Sequence, residues 1–123
     1  MTDGAERARD YYRALDEGDY ERLADLLAPG FVHDRPDMRL EGCDRFVEFM
    51  REERPQKDTS HRVDAVFEAR GGVDAGGSAD DDPSERVAVQ GRLLAADESV
   101  ITGYVDVFSL VGAGIERIDT YTD

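Results

Sequence analysis

The sequence predicts an α+β domain in which a cone-shaped, curved antiparallel sheet wraps around three N-terminal helices. Three observations predict it. Apolar residues recur at helical spacing from Ala5 to Met50, and the period changes to two from His61 onward. The longest apolar run, VITGYVDVFSLV from Val100 to Val111, is rich in β-branched and aromatic residues and reads as a central strand. Helices that precede a meander of strands, rather than alternating with them, indicate α+β organisation.

The chain of 123 residues is long enough for one core and not for two, so residues 1–123 are read as a single domain. In the first helix Ala5, Ala8, Tyr11, Tyr12 and Leu15 share a face, and Gly18 is its stop signal. Asp19 is placed to cap a second helix carrying Tyr20, Leu23, Ala24, Leu26 and Leu27, which Pro29-Gly30 ends. Phe31 to Asp34 reads as a short strand, and Met38 to Leu40 as its return. Gly42 precedes a third helix with Asp44 as cap, Phe46, Val47, Phe49 and Met50 as its apolar stripe, and Pro55 closing it.

Four long strands follow. From Arg62 to Arg70 the side chains Val63, Ala65, Phe67 and Ala69 alternate against Arg62, Asp64, Val66 and Glu68. Residues 71–84 contain no core former except Val73 and read as a long loop. Arg86 to Ala95, the central strand, and Ile115 to Thr122 complete a meander joined by hairpins.

In the central strand, Thr102, Tyr104, Asp106, Phe108 and Leu110 share one face, and Ile101, Val105, Val107 and Val111 the other. Both faces are mostly apolar, so helices are expected to cover one and a partner or second layer the other. Asp106 is the anomaly, a carboxylate between Tyr104 and Phe108 on a face that should be dry. A buried carboxylate must be paired, hydrogen-bonded or protonated, which makes Asp106 the leading candidate for chemistry.

Charge narrows the class of partner. Asp and Glu number 29 against 15 Lys and Arg, and Lys57 is the sole lysine. The net charge of −14 argues against nucleic acid and anionic membranes, because phosphate contacts need clustered Lys or Arg. Self-repulsion on this scale is relieved when molar salt shortens the Debye length to ~3 Å. The acidic, lysine-poor composition resembles that of proteins from salt-in halophilic archaea and implies high cytosolic salt. The single cysteine, Cys43, excludes an internal disulfide framework and suits a reducing cytoplasm. No stretch approaches the ~20 apolar residues of a membrane helix, and MTDGAERARD is too polar for a signal peptide.

The run YYRALDEGDYERLADLLAPGFVHDRP, the GCDRFVEFM helix and the closing VDVFSLVGAGIERIDTYTD together resemble the fold shared by nuclear transport factor two, ketosteroid isomerase and the SnoaL-like polyketide cyclases. The resemblance spans essentially the whole chain in element order. It implies a cavity for a small apolar or polyketide-like molecule, a homodimer through the outer sheet face, and proton transfer as the reaction, with an isomerase, cyclase or hydrolase as the kinds of enzyme. Ketosteroid isomerase uses an aspartate base and an oxyanion hole of a tyrosine and a protonated aspartate. Aligned on Gly18-Asp19, the tyrosine falls on Tyr11 and the protonated acid on Asp106, while the base falls on Arg35.

Tyr11, Asp106, His33 and Asp34 are therefore the candidate catalytic residues. His33 or Asp34 would move the proton, provided a bulge at Pro36 turns Asp34 inward. Tyr12, Leu15, Arg35, Phe46, Met50, Tyr104, Phe108 and Tyr121 are the candidate ligand-binding residues. No cofactor is implied. His33, Asp34 and Asp37 lack a recognised metal-ligand spacing, Asp80-Asp81-Asp82 lacks the alternate-residue pattern of a calcium loop, and Cys43 has no basic neighbour to activate it. Two other readings stay open: a non-catalytic dimeric binding module, and a structural dimer whose cone is filled by Phe46, Met50 and Phe108.

Overall fold

A computed structural model describes residues 4–53, 58–69 and 85–122. Helices α1 (Gly4–Glu17), α2 (Tyr20–Leu26) and α3 (Cys43–Glu48) cover one face of a six-stranded sheet built from β1 (Leu27–Asp34), β2 (Arg39–Glu41), β3 (Ser60–Glu68), β4 (Glu85–Leu94), β5 (Val100–Val111) and β6 (Gly114–Thr122). The order across the sheet is β2-β1-β6-β5-β4-β3. The α+β cone is as the sequence predicts, with one correction. The sheet is mixed, because β1 runs parallel to β6. Closing hairpins leave the outer edge of β6 unpaired, and a connection of about eighty residues leaves the direction of β1 free.

Local chemistry sets the helix ends. The Gly18 and Asp19 amides bond to the carbonyls of Leu15 and Ala14, closing α1 with Gly18 at a φ of 70°, a left-handed turn that glycine adopts cheaply. The Asp19 carboxylate then accepts from the Arg22 amide, capping α2 as expected. Leu27, expected on that helix, opens β1 instead. Its backbone is extended because Pro29 two residues on cannot continue a helix. Gly42, at a φ of 95°, caps α3 without a side chain, and Asp44 lies in the first turn rather than at the cap. A π-helical turn, Phe49–Glu53, extends α3. Pro55 and loop 71–84 lie outside the described residues.

Two bulges overturn simple alternation. The β3–β4 register shifts between Val63 and Ala65, so Val63 and Val66 both pack against the core while Phe67, expected on the inner face, is 57% exposed. The β4–β5 register shifts near Ile101, which turns that side chain from the outer face to the rim of the inner one.

The core fills the narrow end of the cone. Phe31, Phe46, Phe108, Leu110, Ile115, Ile118, Val87 and Val89 are all essentially inaccessible. The Tyr11 ring packs between Phe46 and Phe108, at 6.2 and 5.4 Å between ring centroids. Toward the wide end the filling stops, and a cavity begins.

Candidate functional site

The cavity measures about 510 Å³. Its walls include Tyr11 and Leu15 from α1, His33 from β1, Met50 from the π-helical turn, His61 from β3, Leu93 from β4, Thr102, Tyr104 and Asp106 from β5, and Thr120 and Thr122 from β6. Arg35, Pro36 and Asp37 stand at its rim, in the turn after β1. The inner face of β5 thus divides in two: Tyr104 and Asp106 border the cavity, while Phe108 and Leu110 are sealed in the core.

Asp106 is 6% exposed and held by neutral donors. The Tyr12 hydroxyl donates to Oδ2 at 2.6 Å, and the Thr120 hydroxyl to Oδ1 at 2.5 Å. Strand register explains the second bond, since Thr120 lies directly opposite Asp106 on the same face. Burial raises the Asp106 carboxyl above its ordinary value, while the Thr120 and Tyr12 bonds pull the other way. Burial, and then the Asp106 charge, raise Tyr12 well above the ordinary phenol value, so the proton between them stays on the tyrosine.

The chain of bonds continues to β1. Nε2 of His33 lies 2.8 Å from Thr120 Oγ1. Thr120 has one proton, which it gives to Asp106, so His33 must donate from Nε2 and carry a bare Nδ1. That Nδ1 is buried without a hydrogen-bond partner among the described residues. Burial, and next the charge of Arg35, hold the His33 pKa down at about 3, so the ring is neutral near neutral pH. A base must have a pKa near its working pH, which makes His33 a poor one.

A second histidine stands across the cavity. His61 opens β3, and its Nδ1 donates to Asp16 Oδ1 at 2.7 Å while its backbone amide donates to Asp16 Oδ2 at 2.9 Å. Asp16 lies in the last turn of α1, so helix and strand fix the carboxylate and the ring together. With Nδ1 committed, Nε2 is the nitrogen left for a substrate. The ring packs on Tyr12 and Tyr104, at 5.0 and 5.5 Å between centroids. It also lines a shallower groove between α1 and β3, together with Tyr12 and Asp16.

The sequence-derived candidates are distributed as follows. Tyr11, His33, Asp106, Leu15, Arg35, Met50 and Tyr104 line the cavity. Asp34 does not, because β1 alternation sends it to the opposite face, where Arg117 donates to it at 3.0 Å. No bulge forms at Pro36; the irregularity in β1 lies between Leu27 and Val32. Tyr12, rather than Tyr11, bonds Asp106. Phe46 and Phe108 are core, and Tyr121 alternates outward and is 60% exposed. Asp16, His61 and Thr120 were missed. Extending the β3 alternation one step back from Val63 brings His61 inward, and that signal was available. Among the described residues no cluster of His, Cys, Asp and Glu is placed to hold a metal ion.

A curved sheet wrapped on helices, with a largely apolar cavity at its wide end, is the architecture of the nuclear transport factor two type. Residues 8–118 match the SnoaL-like domain, and the chain belongs to that family. Solved structures agree on the fold. An NTF2-like protein of unknown function from Cytophaga hutchinsonii superposes with a TM-score of 0.75 at 14% identity, over 100% of this chain and 92% of its own. A candidate ketosteroid isomerase from Kribbella flavida gives 0.68 at 23% identity, over 95% of this chain and 75% of its own. A candidate SnoaL-like isomerase from Agrobacterium tumefaciens gives 0.69 at 19%, over 100% and 99%. No curated protein matches.

Proposed function

We propose that this protein is a proton-transfer enzyme, an isomerase, cyclase or hydrolase acting on a small apolar or polyketide-like molecule, with His61 as the base. The observation that carries this reading is the His61–Asp16 pair in the wall of a largely apolar cavity. A carboxylate bound to Nδ1 fixes the tautomer, orients the ring and stabilises the imidazolium that forms when Nε2 takes a proton. Asp106 supports rather than performs this chemistry, since both its oxygens are engaged by Tyr12 and Thr120. Tyr11, Leu15, Met50, Leu93 and Tyr104 supply the apolar walls that orient a substrate and exclude water.

Exchange of the acidic α-hydrogens of 2-tetralone in D2O, followed by NMR, tests the reading without knowledge of the natural substrate. The wild-type protein is expected to accelerate exchange, and His61→Ala to lose about 10²–10⁴ of that acceleration. Asp16→Asn is expected to lose less. Unchanged acceleration in both variants would refute the assignment.

The same reading places the protein in a salt-rich cytoplasm as a homodimer. The net charge of −14 supports the first, and exposed Phe67 and Tyr121 on the outer sheet face support the second. Sedimentation in molar potassium chloride should show a dimer that Tyr121→Glu weakens. A monomer at all concentrations would remove the dimer from the account.

A further inference from the structure

Arg35 is the one permanently charged cation that lines the cavity among the described residues. Its placement is built. The turn after β1 is closed by a bond from the Arg35 amide to the Met38 carbonyl at 2.8 Å, with Pro36 fixing the backbone between. The guanidinium lies over the Phe49 ring, 5.1 Å from its centroid, so the π-helical turn acts as its platform. The side chain is three-quarters buried. Its Asp37 contact runs from Nε, at 3.2 Å from a carboxylate oxygen of a side chain 63% exposed. Neither terminal nitrogen donates a hydrogen bond among the described residues, so the two-pronged end of the fork is open to a ligand.

The other charged groups of the cavity do not cancel it. Each Asp106 oxygen already accepts from a hydroxyl, and no ion pair joins Asp106 to Arg35 among the described residues. Asp37 sits in water, where a single ion-pair contact counts for little, and less in high salt. A guanidinium fork matches a planar carboxylate in two parallel bonds, a geometry that a point charge does not offer. Arg35 follows β1 and His61 opens β3, so the two stand toward opposite sides of the curved sheet with apolar walls between them.

We propose that the cavity takes an apolar carboxylate, a hydrocarbon-rich molecule with one acid group, and that Arg35 selects it by gripping that group at the rim. The acid end is anchored at Arg35 and the body extends inward past Leu15, Met50 and Tyr104 toward His61. This inference rests on the cavity being the ligand site, and it names the substrate class for that site. It does not depend on which residue moves the proton.

Titration calorimetry at neutral pH in molar salt, with 2-naphthoate and its uncharged near-isostere 2-naphthamide, tests it. The wild-type protein is expected to bind the carboxylate roughly tenfold or more tighter than the amide, the worth of a charge-assisted pair. Arg35→Gln, shown to be folded by its melting curve, should lose the preference and bind the two probes about equally. Arg35→Lys should recover only part of the preference, because it restores charge without the fork. Equal binding of the two probes by the wild-type protein overturns the proposal. So does a preference that survives Arg35→Gln, or failure of the wild-type protein to bind 2-naphthoate at all. None of these results alters the 2-tetralone exchange, so the two readings fail separately.

Discussion

Two histidines face one cavity from opposite walls, and they differ in burial and in the groups that hold them. His33 is sealed in, has one nitrogen tied to Thr120 and the other unpartnered, and is held neutral by burial and by Arg35. His61 is less buried, and Asp16 grips it at both the ring and the backbone. The first wall belongs to a buried network, His33–Thr120–Asp106–Tyr12, joined by three hydrogen bonds that leave only His33 Nδ1 without a partner among its members. The second holds the proposed base, His61, by Nδ1 and leaves Nε2 uncommitted. The contrast teaches that a titratable residue in a cavity wall is not thereby reactive, since hydrogen-bond partners and burial decide what it can do. Substitutions on the His33 wall should therefore alter stability, and those on the His61 wall should alter turnover.

The largest stability effect expected from this contrast depends on pH. His33 has an ordinary pKa near 6.5 when unfolded and about 3 when folded. The unfolded chain therefore binds the extra proton as pH falls below about 6.5, and stability is lost from there down toward pH 3. At pH 4.5 this amounts to roughly 2–3 kcal/mol. Asp106 has the opposite sign, because its folded value is raised, but it is common to the wild type and to His33→Gln. Urea titrations at pH 6.5 and 4.5 should show His33→Gln losing less stability than the wild type over that interval. Parallel losses would mean that His33 is not buried neutral.

Next in size is Tyr12→Phe, which strips Asp106 Oδ2 of its donor inside the protein. It is expected to cost about 2 kcal/mol in urea unfolding, the range for a buried acceptor left unsatisfied. A cost near zero would show that the network does not hold the wall together.

On the other wall, Asp16→Asn should cost about 1 kcal/mol, because the Asp16–His61 pair is partly exposed and asparagine keeps one acceptor oxygen for the ring while losing the bond to the His61 amide. A loss as large as that of Tyr12→Phe would erase the distinction between the walls. The smallest effect concerns Tyr104, whose buried hydroxyl finds no partner among the described residues; the neighbouring Tyr12 hydroxyl gives its proton to Asp106. Tyr104→Phe removes an unsatisfied donor and should leave the melting temperature unchanged or slightly raised. A clear drop would reveal a bond that holds the phenol in place.

Much of this was legible in the sequence, and the limits have physical causes. Alternation in Val100–Val111 correctly turns Tyr104, Asp106 and Phe108 inward, because successive side chains of a strand point to opposite faces. It says nothing of where packing ends, so Phe108 in the core and Tyr104 beside the cavity read alike. Alternation in β1 also separates His33 from Asp34, and without a bulge at Pro36 Asp34 faces away from the cavity. Bulges are invisible to periodicity, which is why Phe67 and Ile101 were assigned to the wrong faces. The choice between Tyr11 and Tyr12 as the Asp106 partner depends on how α1 is rotated on the sheet. Asp16 and His61 lie 45 positions apart and meet only through tertiary packing. Each looked ordinary in its own segment, a polar residue late in a helix and a histidine at the start of a strand.

The most direct test of the His61 assignment is chemical rescue in the 2-tetralone exchange assay. The account predicts that His61→Ala loses about 10²–10⁴ of the acceleration, that added imidazole restores part of it in proportion to its concentration, and that His33→Gln loses far less. Full activity in His61→Ala, with the loss falling on His33→Gln instead, would contradict it.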